Sequence, residues 1–191
     1  MKAGVSWLFL FSFFFFYCSP PDASSDLFSI QLKTEDGQAF DISEIKKNKA
    51  SVFVFLSPDC PLSQKYSLTV KNQADKYLEK SIDFYLVFPG KLYKTEEIKN
   101  FLFEYELRLP SVLDSEKKLT KILGASVTPE AFLLDSAGKT IYSGAIDNWF
   151  IEPGKQREVI TEHYLDEAIE SCLKNIPAKN KQTKPVGCII E

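Results

Sequence analysis

Alternation between apolar and polar positions is the first pattern in the folded part of the chain. FSIQLKTEDGQAFDISEI (28–45) alternates on both sides of Asp36-Gly37, a dipeptide favoured in tight turns, and predicts a β-hairpin. SVFVFL (51–56) is a compact β-branched and aromatic run, as expected of a strand buried on both faces. From Pro61 to about Lys80 the period changes. Leu62, Tyr66, Val70, Ala74 and Tyr77 recur every three or four residues and predict a helix. IDFYLVFP (82–89) predicts a second buried strand. After it, Thr95 is placed as the cap of a helix EEIKNFLFEYEL, with Glu96 and Glu97 at its positive end.

Strand-helix-strand-helix order implies a parallel sheet with right-handed crossovers. The later run AFLLDSAGKTIYSGAI instead predicts an antiparallel hairpin turning at 135–139. A helix is predicted over about 158–173, with Leu165, Ala168, Ile169 and Cys172 on one face. The sum is one α/β domain of thioredoxin-like arrangement: a mixed central sheet flanked by helices, with an N-terminal β-hairpin. Phe53, Phe55, Phe84, Phe101, Phe103 and Tyr105 fall in phase with these elements and are core candidates. Trp149-Phe150 falls outside them and either flanks a partner groove or covers a sheet edge.

The chain has 191 residues, enough for one domain with appendages, and its formal net charge of −3 gives no basic excess for nucleic acid. Residues 1–18 read as a signal peptide: Lys2 is followed by a Phe-rich apolar run too short to span a bilayer. Cys18 stands where a bacterial lipoprotein carries its lipidated cysteine, although Phe15, Phe16 and Tyr17 are bulkier than usual before it. A lipid anchor on the periplasmic side of a membrane is therefore expected. A plain signal peptide giving a secreted or periplasmic protein, or an uncleaved anchor, is the alternative. Residues 19–26 read as a linker, 27–175 as the domain and 176–191 as a cysteine-containing tail.

Export puts Cys60, Cys172 and Cys188 in an oxidising compartment, where at most one internal pair can form among three cysteines. Within SPDCPLSQKY (57–66), Cys60 precedes Pro61, a residue favoured at the first helical position. Free N–H groups and the helix dipole favour a thiolate there, Ser63 one turn on can donate to the sulfur, and Lys65 adds positive potential. Asp59 works the other way. The balance predicts that Cys60 titrates below an ordinary thiol. An alkylation rate profile with its midpoint at or above that of free cysteine would contradict this.

Ser63 can hold a thiolate but cannot close a disulfide with it, so a second thiol must come from elsewhere in the chain, another protein or a small molecule. Cys188, beside apolar residues on a tail whose stretch from Pro177 spans roughly 35 Å when extended, is the internal candidate. A purely packing role for it is the alternative. Cys172, seven residues after Leu165, reads as core.

SVFVFL feeding SPDCPLSQKY, Val127-Thr128-Pro129 before AFLLD, and DSAGKTIY (135–142) resemble the thioredoxin-like redoxins of the alkyl hydroperoxide reductase/thiol-specific antioxidant type. The likeness runs from about 27 to 173. The ending, from Asp147-Asn148 through His163 to TKPVGC (183–188), resembles that of a subgroup with a single cysteine in a CPxS motif and a C-terminal Gly-Cys tail. The resemblance implies that Cys60 is the nucleophile and that Pro129 is cis and faces it. Val127, Thr128 and Pro129 would then form the substrate groove, with the Val127 backbone open for strand pairing with an extended substrate. Asp59 replaces the tryptophan and Ser63 the resolving cysteine of many thioredoxins.

The implied activity is exported thiol-disulfide exchange through Cys60, with Ser63 supporting and Cys188 as the candidate resolving cysteine. Its partner would be a thiol- or disulfide-bearing protein or a small thiol, and no cofactor or metal is expected. A thiol peroxidase is one alternative. Ser57 matches the hydroxyl three residues before a peroxidatic cysteine, but Phe53 stands where those enzymes have proline. A non-catalytic binding module, or a copper site of Cys60, Cys188 and His163, is another, although copper carriers on this fold place two cysteines in one loop.

Overall fold

The structure is a computed structural model and describes residues 26–191. The predicted signal peptide, Cys18 and nearly all of the linker lie outside the described residues. No helix among the described residues is long and apolar enough to cross a membrane.

Three parallel strands form the centre of the sheet: β3 (Ala50–Phe55), β4 (Ile82–Pro89) and β5 (Ser111–Asp114). On one side β5 pairs antiparallel with β1 (Leu32–Lys33), which forms a hairpin with β2 (Ala39–Phe40). Gly37, at φ +77°, turns that hairpin as its dipeptide predicts. Past β6 (Val127–Thr128), β7 (Glu130–Asp135) runs antiparallel to β3, and β8 (Thr140–Gly144) returns beside it. The order across the sheet is β2-β1-β5-β4-β3-β7-β8, the mixed sheet expected from the sequence.

Alternation decides what each face meets. Val52, Val54, Phe84, Leu86 and Leu133 point to a layer built by α1 (Pro61–Tyr77), α2 (Thr95–Glu104) and, after α3 (Lys118–Leu123), by α4 (Tyr164–Leu173). Phe53, Phe55, Tyr85, Val87 and Phe132 point the other way, to Leu119 of α3 and to Ile42 and Ile45. All are buried, and at about 1.5–3 kcal/mol per large apolar side chain they fix the register of β3 between β4 and β7.

Several expectations change. The stretch after Phe40 is a 3-10 helix, Ile42–Lys47, because Asp41 Oδ1 accepts from the Ser43 N–H at 2.9 Å and caps it. Thr95 is the first helical residue and Lys94 the cap, with the Lys94 N–H donating to Glu97 Oε2 at 2.7 Å. Phe103 is not core. Ile98, Phe101 and Leu102 take the buried face of α2, and Phe103, about 100° further round, is 87% exposed. Tyr105 is half-buried against the core.

The last helix starts only at Tyr164. Before it, Asn148 Oδ1 accepts from the N–H groups of Thr161 (3.0 Å) and Glu162 (3.2 Å), which holds that stretch out of helical pairing. β5, α3, the hairpin of β9 (Phe150–Glu152) with β10 (Lys155–Gln156), and β11 (Cys188–Ile189) were not foreseen.

Candidate functional site

Cys60 stands at the N-cap of α1, with Pro61 as the first helical residue, between the end of β3 and the helix. It is 1% exposed. Its sulfur lies 3.0 Å from the Thr128 carbonyl oxygen, a neighbour to which a thiol can donate and a disulfide sulfur cannot. The Thr128–Pro129 bond is cis, as the motif implies.

The tail brings the second sulfur. Cys60 and Cys188 are joined in a disulfide, with Cα atoms 6.1 Å apart, inside the range that unstrained bridges take. Beyond the bond, Cys188 and Ile189 pair antiparallel with Thr128 and Val127 as β11 against β6. The edge expected to receive an extended substrate is therefore occupied by the chain's own tail. Gly187 makes this approach possible, because a Cβ there would overlap the Thr128 carbonyl and come within 3.1 Å of Val127 Cβ.

The tail is also held apart from the disulfide. The Thr183 N–H donates to the Ser143 carbonyl and the Ser143 N–H to the Lys181 carbonyl, both at 3.0 Å, continuing the sheet past β8. Thr183 Oγ1 accepts from the Ala145 N–H at 3.0 Å and pairs with the Tyr142 hydroxyl at 2.5 Å. Gly144, at φ +130°, leaves room for the Thr183 carbonyl that any side chain would strike. Since Cys188 is only five residues beyond this anchor, its leash spans roughly 17 Å, half the reach of a tail free from Pro177.

Ser63, Lys65 and Asp59, the residues expected to tune Cys60, each make contacts of their own. Ser63 is buried, and its Oγ accepts from the Ser57 N–H at 3.2 Å, an engagement that ties the loop before Cys60 to α1. Lys65 Nζ donates to Gln156 Oε1 at 2.9 Å and lies 5.4 Å from the centre of the Phe150 ring. Asp59 accepts from the Tyr93 hydroxyl and, at 2.8 Å, from Ser57 Oγ. The hydrogen bond from Tyr93 holds the Asp59 carboxyl below its usual range against the cost of burial, with a lesser contribution from Ser57. Burial first, then Asp59, pushes the Tyr93 phenol up.

Trp149 and Phe150 flank α1 rather than an open groove. Tyr66 meets both rings edge-on or tilted at 5.5 and 5.6 Å, and its hydroxyl donates to the buried Asp147 at 2.6 Å. Burial raises the Asp147 carboxyl despite that bond. His163 is exposed at the N-cap of α4 and does not join the two cysteines. No group of three His, Cys, Asp or Glu side chains suited to a metal occurs among the described residues. The copper arrangement is not formed. Cys172 is unpaired and half-buried against the core, and burial pushes its thiol up.

Tyr93 and Gly144 carry no signal in the sequence. Thr183 and Gly187 belong to the ending that carries the resemblance, but their contacts with Ser143, Ala145 and Thr128 are visible only in the fold.

A family model described as Redoxin matches residues 21–149. No curated protein matches the chain by sequence. Among solved structures, a hypothetical protein from Sinorhizobium meliloti is 23% identical with a TM-score of 0.75, over 84% of this chain and 89% of its own. An uncharacterised conserved protein from Geobacillus kaustophilus is 24% identical, also with a TM-score of 0.75, over 85% and 87%. A secreted Mycobacterium tuberculosis disulfide oxidoreductase homologous to Escherichia coli DsbE is 13% identical with a TM-score of 0.56, over 80% and 98%. These likenesses establish the thioredoxin-like fold.

Proposed function

The chain belongs to the redoxin family, and from that premise we propose that it is a thiol-disulfide oxidoreductase working through Cys60 and resolved by Cys188 of its own tail. One observation carries this reading: the disulfide between a cysteine at a helix N-terminus and a cysteine on a short leash. In the reduced protein the Cys60 thiolate, favoured by the start of α1, attacks a partner disulfide and releases one partner thiolate. Cys188 then attacks the sulfur of Cys60, forms the internal disulfide and frees the second partner thiol. Because β11 takes the backbone edge of β6, an extended partner strand and the tail compete for one place. Closure of the disulfide thus expels the product.

Ser63 acts by position, bracing the loop that carries Cys60, and Val127, Thr128 and Pro129 line the shared edge. Disulfide-bearing polypeptides are the proposed partners, in keeping with the secreted disulfide oxidoreductase among the fold neighbours. Turnover of a disulfide-bonded peptide at the expense of a thiol, lost in Cys60→Ser, tests the reading. Faster consumption of hydrogen peroxide than of disulfide would favour a peroxidase instead.

The amino-terminal apolar run and polar linker support export with a lipid anchor on Cys18. Incorporation of labelled palmitate, abolished in Cys18→Ser, is expected. Labelling that survives the substitution would contradict it.

A further inference from the structure

A cavity of about 650 Å³ opens beside the tail, between the loop after β4 and residues 188–191, within the size range of small-ligand sites. Cys188 forms part of its wall; Cys60 does not. Charged lining comes in both signs: Lys91 and Lys117 on one hand, Asp59 and Glu191 on the other. The redox reading above leaves open how the internal disulfide is reduced again.

We propose that the oxidised protein takes its electrons at Cys188, from a zwitterionic low-molecular-weight thiol that enters this cavity. The inference rests on Cys60 and Cys188 being a working redox pair. Three observations carry it. Cys60 is 1% exposed, and the Thr128 carbonyl 3.0 Å from its sulfur would repel an approaching thiolate. Cys188 is only half-buried and forms part of the wall of this cavity, the side from which we place the approach of the nucleophile. The leaving sulfur is then Cys60, at the N-terminus of a 17-residue helix that favours the thiolate, and exchange runs faster when the leaving thiol is the more acidic one.

The thiolate of the small thiol bonds to the Cys188 sulfur, the Cys60–Cys188 bond breaks, and its electron pair leaves with Cys60. A second molecule of the thiol attacks the sulfur of the first, giving the small-molecule disulfide and a Cys188 thiolate. Two electrons pass to the protein, and the two protons shed by the thiols complete both cysteines. Because the attacking molecule carries a carboxylate and an ammonium, it matches Lys91 and the acids of the wall together, Lys117 already donating to the backbone oxygen of Glu191. Breaking the bond frees β11 to leave β6, so reduction opens the partner edge. Electrons enter at one sulfur and leave at the other.

The test uses the Cys172→Ser chain, oxidised, with glutathione as the probe, rapid acid quenching, alkylation and peptide mapping. The expected result is glutathione on the Cys188 peptide and the alkyl label on Cys60. Glutathione on Cys60, or divided evenly, overturns the assignment while leaving the exchange activity intact. Failure of the disulfide to form at all would instead defeat the underlying redox reading. If no adduct accumulates, the rates decide. Reduction by glutathione should fall about fivefold in Lys91→Glu while reduction by mercaptoethanol, whose thiolate carries neither carboxylate nor ammonium, falls clearly less. Equal rates in the two proteins would overturn the cavity as the entry site.

Discussion

Replacing Cys60 with serine is expected to remove thiol-disulfide exchange entirely, whereas Cys188→Ser stops it after one turnover. The contrast follows from the two positions. Cys60 holds the helix start, where a thiolate is favoured, and a serine hydroxyl has no comparable anion at neutral pH. Loss of at least about a thousandfold is the expected scale for removing a nucleophile. Cys188 contributes nothing to the first attack. Without it the mixed disulfide on Cys60 has no internal competitor, because Cys172 is half-buried with its thiol pushed up by burial. Cys188→Ser should therefore accumulate one partner per chain, read by intact mass. Repeated turnover in Cys188→Ser would assign resolution to another thiol.

The second large effect is expected from Gly187→Ala. A Cβ at Gly187 overlaps the Thr128 carbonyl, which is backbone in β6 and cannot swing aside. Either β11 shifts along β6 or the tail stands off, and overpacking of this kind costs about 1–3 kcal/mol. Since 1.4 kcal/mol is a factor of ten, closure of the internal disulfide should become roughly five- to 150-fold less favourable. Cys60 itself is untouched. Its alkylation rate in the reduced protein should be preserved, while the equilibrium with a reference dithiol moves towards the reduced form. Wild-type equilibrium in Gly187→Ala would show that the tail does not need the close approach.

How much of this was legible in the sequence depended on the range of the interaction. Val52 to Leu56 and Phe84 to Phe88 announce themselves because a strand buried on both faces needs an unbroken apolar run. Cys60 was legible for a local reason as well: strand end, helix start and proline coincide there. Phe103 misled because the apolar run of α2 is wider than its buried face. The late start of α4 was hidden in Asn148, whose side chain takes backbone N–H groups thirteen and fourteen residues on. The pairing of Cys60 with Cys188 spans 128 residues, and no local pattern encodes it. Its supports were equally hidden. Thr183 looks like any linker threonine until Tyr142, Ser143 and Ala145 are beside it.

A disulfide can be a static cross-link, and the arrangement of the tail bears on that. Thr183 and Lys181 secure the tail to β8 without any help from sulfur. On the proposed cycle these contacts hold the tail when the bond is open, and the leash beyond Thr183 keeps Cys188 within reach of Cys60.

The most direct measurement follows the Cys172→Ser protein, fully reduced, through one turnover with a disulfide-bonded peptide, quenched at intervals and mapped by mass. The account predicts a Cys60–peptide mixed disulfide first, then its decay into the Cys60–Cys188 disulfide with release of free peptide. A mixed disulfide on Cys60 that persists while Cys188 stays reduced would contradict it.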